Sequence, residues 1–216
     1  MIVLGLTGSI GMGKSTAAAT LQRLRVPLFD SDLVVHRLLA PGGAAVEPVA
    51  AAFSGVRAAK GGIDRSLLGQ RVFADPEALS RLERIIHPMV EVSEKRFLAF
   101  ARARREPIVV LDIPLLFESR SERRCDYVLV VSAPQLVQRQ RVLRRPGMTE
   151  RRLGAIMSNQ MPDYEKRRRA DFIVPTGLSR GLSLRRLRAI VRRLRAGRSR
   201  VVRGSRCGRR QRRRRA

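Results

Sequence analysis

Apolar residues follow two different spacings along this chain. Short apolar runs rich in Val, Ile and Leu are typical of strands buried on both faces, and they occur at 2–7, 26–30, 107–112, 126–132 and 171–174. Between the runs, apolar residues recur at the spacing of a helix, which predicts helices at 14–24, 32–39, 44–53, 64–73, 76–87, 88–105, 134–144, 150–160 and 183–195. This alternation predicts an α/β fold with a parallel sheet, which binds ligands at the carboxyl ends of its strands.

Turn and capping residues set the predicted ends of the helices. Ser31 is placed to cap the helix that follows the second strand. We expect His87-Pro88 to end one helix and start the next, because proline lacks the N–H that continues a helix. From 196 onward apolar residues are nearly absent, so 196–216 is predicted to be a basic disordered tail.

The composition fits one α/β domain, with or without a lid. The chain has 216 residues, of which 44% are hydrophobic and 4% aromatic, with no tryptophan, so the core must be aliphatic. No apolar run approaches the ~20 residues of a membrane span, and no basic segment precedes the first run as in a signal peptide. Cys125 and Cys207 lie far apart, so we expect no structural disulfide and a location in the reducing cytoplasm.

Arginine dominates the charge of the chain. The formal net charge is +27, and residues 181–216 contain sixteen arginines and no acidic residue. More than half of the excess charge therefore comes from the last sixth of the chain. Only four of the 45 basic residues are lysine, a bias that also fits a genome-wide preference. We expect the tail to attract polyanions with an affinity that depends strongly on salt and little on sequence.

Residues 8–15 read Gly-Ser-Ile-Gly-Met-Gly-Lys-Ser, which matches the G-x-x-x-x-G-K-[ST] phosphate loop at every fixed position. The predicted strand before it and helix after it are the context that the motif requires; the alternative is a chance Lys-Ser in a glycine-rich turn. The glycines let backbone N–H groups face phosphate oxygens, Lys14 reaches the β- and γ-phosphates, and the Ser15 hydroxyl binds Mg²⁺. The predicted ATP contacts are Gly11, Met12, Gly13, Lys14, Ser15 and Thr16.

Three aspartates lie at the carboxyl ends of predicted strands. Asp30 and Asp32 follow the second strand, and Asp112 ends the third. A carboxylate at that edge can accept the proton of a hydroxyl that attacks the γ-phosphate, and Asp32 is favoured because it lies in the helix start. The alternative is that both acids only cap the helix. Asp112 is placed like the Mg²⁺-side acid of a phosphate-loop enzyme.

Basic residues surround the predicted Pro-Gly break after the fourth strand. They are Arg139, Arg141, Arg144 and Arg145. Mobile arginines in a lid can neutralise the charge of phosphoryl transfer while the lid excludes water; the alternative is a solvated basic helix face. His36 and His87 have no second His or Cys at metal spacing, so no zinc site is predicted.

Together these segments resemble the bacterial dephospho-coenzyme A kinase family from about residue 2 to 194. The phosphate loop is common to many enzymes, whereas other segments are far more specific. The specific segments are Phe29-Asp-Ser-Asp32 with His36-Arg37, Leu82-Glu-Arg-Ile-Ile-His-Pro88 and Leu111-Asp-Ile-Pro-Leu-Leu-Phe-Glu118. Gln138, Arg141, Arg145, Gln160 and Glu165-Lys166 fall at lid and post-lid positions of that family.

The resemblance implies transfer of the γ-phosphoryl group of ATP to the ribose 3′-hydroxyl of dephospho-coenzyme A, the last step of coenzyme A biosynthesis. It implies that Asp32 is the general base. It also implies that Lys14, Mg²⁺ bound through Ser15, Arg141 and Arg145 stabilise the transition state. The implied acceptor contacts are Thr7, Asp32, His36, His87 and Asp112.

The resemblance also implies a domain organisation: a kinase-like domain over 1–195 and the tail over 196–216. Within the domain, the phosphate-loop core covers 1–40 and 106–195, a helical acceptor region covers about 41–105, and the lid covers about 139–150. The sequence indicates no oligomeric state.

Two other functions stay open at this point. Another small-molecule kinase, such as a nucleoside monophosphate kinase, would share the core and differ in the acceptor region; the His-Pro segment argues against it. A protein that binds nucleic acid through its basic tail belongs to a different class, and the chain shows no aromatic stacking motif to support that function. A GTPase is disfavoured because no Asn-Lys-x-Asp segment is present.

Overall fold

The structure is a computed structural model that describes residues 1–73 and 75–201. Its centre is a five-stranded parallel sheet with strand order β2-β3-β1-β4-β5. The strands are β1 Ile2–Thr7, β2 Leu28–Asp30, β3 Ile108–Asp112, β4 Tyr127–Ser132 and β5 Phe172–Pro175. Leu6 of β1 is in register with Asp112 of β3, so these two strands end side by side. The predicted α/β fold is confirmed.

Helices connect the strands, as the sequence predicts. They are α1 Lys14–Arg23, α2 Ser31–Leu39, α3 Val46–Ala52, α4 Arg65–Phe73, α5 Pro76–Ala103, α6 Gln135–Leu143, α7 Glu150–Ser158, α8 Asp163–Arg169 and α9 Arg180–Val201. A 3₁₀ turn covers Ser121–Arg124. Among these described helices, none is long and apolar enough to cross a membrane.

The chain divides into two compact units, and the first contains residues 1–28 and the described residues from 105 onward. Its core is aliphatic, as the lack of tryptophan predicts. Leu4, Leu129 and Val131 of the sheet are fully buried with Leu21 of α1 and Leu187 of α9. This core holds the strand ends that the sequence assigns to phosphate chemistry.

The second unit contains residues 29–104 and is helical apart from the end of β2. Helices α2, α3 and α4 pack against the long helix α5. Their shared core includes Val49, Val56, Leu68 and Ile86. The unit begins at residue 29, whereas the sequence places the start of a helical acceptor region near 41, because α2 packs on α5. The roles of these units stay predictions.

Helix α5 runs without interruption through Pro88, so the predicted break at His87-Pro88 is wrong. Proline in a helix interior costs about 3 kcal/mol, because a hydrogen bond is lost and the ring crowds the preceding turn. Pro88 and Arg84, whose carbonyl loses its partner, are both exposed, whereas Ile86 is buried. Water can therefore reach the freed carbonyl, and the packing of α5 maintains the helix.

The structure adds helix α8, which the sequence analysis missed. Its start carries Asp163 and Glu165 after Pro162, and its end carries four basic residues. Acids in the first turn and bases in the last turn both stabilise a helix through its dipole. That pattern was available in the sequence and indicates a helix.

Helix α9 extends beyond its predicted bounds of 183–195, from Arg180 to Val201. Residues 196–201, which we assigned to the disordered tail, therefore continue a helix whose buried side includes Leu187, Val191 and Leu194. The remainder of the predicted tail, 202–216, lies outside the described residues.

Candidate active site

The turn between β1 and α1 forms the phosphate loop, and its glycines meet specific steric needs. Gly11 and Gly13 have φ of +75° and +86°, values that side chains disfavour. At Gly8 a Cβ atom would lie 2.4 Å from Val131 Cγ2 of β4, so only glycine lets the loop pass that strand. The backbone conformation therefore requires the glycines that the motif contains.

Several N–H groups of the loop are available to a ligand. Among the described residues, the N–H groups of Gly11, Gly13, Lys14, Ser15 and Thr16 form no hydrogen bond. Three of them begin α1, where the helix dipole adds partial positive charge. Such an arrangement binds phosphate groups. Five of the six predicted ATP contacts thus offer a free donor.

Met12, the sixth predicted contact, is used inside the protein. Its N–H donates to Ser9 O at 3.1 Å, and its Sδ lies 3.0 Å from the N–H of Ala133. Its carbonyl accepts from the hydroxyl of Thr176 at 2.7 Å. The side chain is 2% exposed, so Met12 anchors the loop on the sheet.

Lys14 and Asp112 form an ion pair at the edge of the sheet. The distance from Lys14 Nζ to Asp112 Oδ1 is 2.8 Å, and the Asp112 side chain is 3% exposed. Because Asp112 ends β3 next to β1, its carboxylate faces the loop of the same unit. Asp112, predicted as a Mg²⁺-side acid and acceptor contact, thus holds the lysine that the motif assigns to the phosphates.

Two glutamine side chains hold the loop by hydrogen bonds to its backbone. Gln138 Nε2 donates to Ile10 O at 2.8 Å, and Gln160 Oε1 accepts from Ile10 N at 3.0 Å. Both backbone groups of one residue are thereby held. The sequence analysis placed these glutamines near a lid, by resemblance only, and assigned no role to Thr176. These contacts join residues 128 to 164 positions apart, which no local pattern shows.

The four arginines around the predicted lid lie in different surroundings. Arg141 donates to Thr176 O at 2.6 Å and lies 3.5 Å from Gly11 O, so it is fixed against the loop. Arg145 is exposed in the turn after α6, and its side chain has no polar contact within the described chain. Arg139 pairs with Glu150, whose hydrogen bond and negative charge raise the pKa of that guanidinium above its ordinary value.

The candidate base lies in the helical unit. Asp30 Oδ1 accepts from Leu33 N at 3.0 Å, so Asp30 caps α2 and Ser31 does not, contrary to our prediction. Asp32 is exposed in the first turn and makes no hydrogen bond to the described residues. The structure thus separates the two acids: one has the capping role, and the other carries a carboxylate available to a substrate.

The remaining predicted acceptor contacts have distinct environments. His36 follows Asp32 by one turn of α2, and its Nδ1 lies 3.1 Å from an Arg65 nitrogen. His87 is exposed on α5. Thr7, at the end of β1 in the first unit, is fully buried and donates to Pro114 O at 2.8 Å. A role for Thr7 in acceptor binding stays a prediction.

Ser15 has the surroundings expected of a Mg²⁺ ligand that acts together with nucleotide phosphates. Its side chain is exposed, and its hydroxyl has no partner among the described residues. Within those residues, no group of three or more His, Cys, Asp or Glu could enclose a metal ion. Magnesium keeps several waters and binds through few protein ligands plus phosphates, so this donor set fits it.

Comparison with known proteins identifies the relatives of this chain. The pattern that describes the dephospho-CoA kinase family matches residues 2–178. The dephospho-CoA kinase of Rhodospirillum rubrum is 52% identical over 205 residues, which cover 95% of this chain and 97% of that protein.

The chain belongs to the dephospho-CoA kinase family. The crystal structure of TT1252 from Thermus thermophilus is 36% identical, with a TM-score of 0.77 over 89% of this chain and 97% of that one. The structure of a dephospho-CoA kinase from Campylobacter jejuni, at 24% identity, has the same fold, with a TM-score of 0.68 over 91% and 98% of the two chains. The family that the sequence resembles is thus confirmed, as is its phosphate-loop kinase fold.

Proposed function

We propose that this member of the dephospho-CoA kinase family transfers the γ-phosphoryl group of ATP to the ribose 3′-hydroxyl of dephospho-coenzyme A. The observation that carries the proposal is the phosphate loop, with its free N–H groups and a lysine held at its edge by Asp112. Family membership supplies the acceptor. The products are coenzyme A and ADP.

On the ATP side, the N–H groups at the start of α1 bind the phosphate oxygens, and Lys14 donates to the β- and γ-phosphates. Ser15 would hold Mg²⁺ through its hydroxyl, and the bound ion neutralises part of the phosphate charge. Arg145, which is exposed and unpaired among the described residues, is free to reach the charge that develops on the transferred group. Arg141, whose side chain lies 3.5 Å from Gly11 O, would stabilise the same charge from beside the loop.

On the acceptor side, Asp32 accepts the proton of the 3′-hydroxyl. The ribose oxygen forms a bond to the γ-phosphorus while the bond from that phosphorus to the ADP oxygen breaks. His36 and His87 are exposed side chains that can bind the acceptor. The exposed and unpaired carboxylate of Asp32 supports its role as the base.

The test is an assay of ADP release by purified protein with Mg-ATP, in parallel reactions with dephospho-coenzyme A, AMP, shikimate, adenosine or no acceptor. We expect ADP release only in the reaction that contains dephospho-coenzyme A, at micromolar acceptor concentrations. Release with another acceptor would show a phosphate-loop kinase of different specificity, which is the alternative that the sequence left open.

The basic end of the chain indicates a second kind of partner. Helix α9 exposes Arg185, Arg186, Arg188, Arg192, Arg193 and Arg195 with no acidic residue among them. Non-specific binding of nucleic acid to this end stays a prediction. Deletion of 202–216 tests it: kinase activity should persist, and salt-sensitive retention on heparin should fall.

A further inference from the structure

Gln160 lies in the short connection between α7 and α8, yet it contacts the phosphate loop. Its Oε1 accepts the N–H of Ile10 at 3.0 Å, while Gln138 of α6 donates to the carbonyl of the same residue. Gln160 therefore holds the Ser9–Ile10 peptide group, and Gln138 holds the Ile10–Gly11 peptide group, which carries the free N–H of Gly11. The orientations of these two consecutive peptide groups together affect the direction in which the N–H of Gly11 points.

The connection that carries Gln160 is itself held by buried charge. Met161 N donates to Glu118 Oε1 at 2.8 Å, and Lys166 Nζ lies 2.9 Å from the same oxygen. Asp163 Oδ2 accepts from Ser132 Oγ at 2.7 Å, which ties the start of α8 to the end of β4. Gln160 is thus adjacent to a residue bonded directly to Glu118.

Lys166 is a rare kind of lysine. Its side chain is 0% exposed, and lysine is almost never fully buried unless its charge is paired. Among the described residues, its only ion pair is with Glu118, which itself is 19% exposed. The pair lies in the phosphate-loop unit and, among the described residues, forms no hydrogen bond or ion pair with the loop. Such placement suits a role in positioning other residues.

We propose that Gln160 is a positioning residue of the phosphate loop, and that the buried Glu118–Lys166 ion pair holds Gln160 in place. The inference rests on the proposed function only for its kinetic readout, since ATP binding can be measured without an acceptor. It assigns a role in ATP binding to two charges that form no hydrogen bond with the loop among the described residues.

The first test replaces the amide alone. Gln160→Met keeps the length of the side chain and removes the acceptor for the Ile10 N–H. We expect KM for ATP to rise about three- to tenfold, the range that follows from losing one hydrogen bond, with KM for dephospho-coenzyme A unchanged. Gln140→Met, an exposed glutamine on α6, is the matched control and should match wild type. Unchanged ATP binding in Gln160→Met would overturn the proposal.

The second test asks whether the ion pair acts through Gln160. Lys166→Met should weaken ATP binding, and the double variant Lys166→Met/Gln160→Met should bind ATP no more weakly than the weaker single variant. Fully additive losses of ATP affinity would show that the pair acts independently of Gln160, and ATP affinity equal to wild type in Lys166→Met would show that the pair contributes to stability alone; either result would overturn its positioning role. Because Lys166→Met can fail to fold, Glu118→Gln, which keeps an acceptor for Met161, undergoes the same cycle with the same expectation.

ATP binding is measured by titration in the absence of acceptor. If the wild-type protein binds ATP but does not phosphorylate dephospho-coenzyme A, the proposed function fails while the positioning proposal is still decided by the binding data. If the kinase reaction proceeds and the variants bind ATP like wild type, the positioning proposal alone fails.

Discussion

The phosphate-loop unit and the helical unit differ in how far they bury the polar side chains assigned to function. Around the loop, Asp112 and Gln138 are buried at 2% and 3% exposure, and each has a polar partner. In the helical unit, Asp32, His36 and His87 are all exposed. The ATP side is therefore organised by contacts that also stabilise the fold, whereas the acceptor residues take their positions from the backbones of α2 and α5. Changes to the buried residues around the loop should affect stability and ATP binding together, and changes to the exposed polar residues of the helical unit should affect activity with little effect on stability.

The largest expected effect tests the helical unit. Asp32→Asn should lower turnover about 10²- to 10⁴-fold, the usual contribution of a general base, and leave the thermal stability and ATP affinity unchanged. Asp30→Asn is the matched control: asparagine caps helices about as well as aspartate, so activity should persist. Steady-state kinetics and ATP titration of both variants measure this. Near-normal turnover in Asp32→Asn would show that Asp32 is not the base.

Lys14→Met should lower both kcat and the free energy of unfolding. We expect a loss of about 10²- to 10³-fold in kcat, as for removal of one charge-stabilising donor. The free energy of unfolding should also fall by about 1–3 kcal/mol, because the buried carboxylate of Asp112 loses a partner. Lys95→Met, which breaks an exposed pair with Glu91 on α5, is the control and should change stability by less than about 0.5 kcal/mol. If Lys14→Met were as stable as wild type, the contacts around the loop would not stabilise the fold as we infer.

The two arginines assigned to catalysis both lie in the first unit, but their substitutions should differ in the effect on stability. Arg145→Ala should lower kcat about tenfold with unchanged thermal stability, because the Arg145 side chain is exposed and makes no polar contact with the described residues. Arg141→Ala should also lower the free energy of unfolding by about 1–2 kcal/mol through lost hydrogen bonds to Thr176. Urea denaturation with steady-state kinetics measures both, and equal stability losses would contradict the assignment.

The last expected effect, on stability without a loss of activity, tests the frame of the helical unit. Pro88→Ala should raise the free energy of unfolding by about 1–3 kcal/mol, because it restores a hydrogen bond inside α5. Pro76→Ala, at the first residue of the same helix, should change it little, since that position has no helical partner for an N–H. Urea denaturation of both variants gives the values. An unstable Pro88→Ala would indicate that proline is needed in α5.

The difference between local contacts and contacts between distant segments explains what the sequence could predict. The strands, most helices and the loop follow from short-range patterns, so they are confirmed within a few residues. The break at Pro88 is wrong because tertiary packing outweighs the local penalty of proline. The roles of Gln160 and Thr176 depend on contacts between segments that the topology brings together, and one sequence contains no signal of them. That Asp30 rather than Ser31 caps α2 could be seen only from the geometry of the cap.

The supports of the phosphate loop have a consequence for the chain during its synthesis. The loop at 8–15 is made early, but Gln138, Gln160 and Thr176, which hold it, follow more than 120 residues later. At typical rates of roughly 5–20 residues per second, the finished motif waits roughly 8–30 s for its last support. A ribosome-bound chain thus contains the full phosphate-binding sequence well before it can form the site, so ATP can stabilise the protein only after Thr176 has been added.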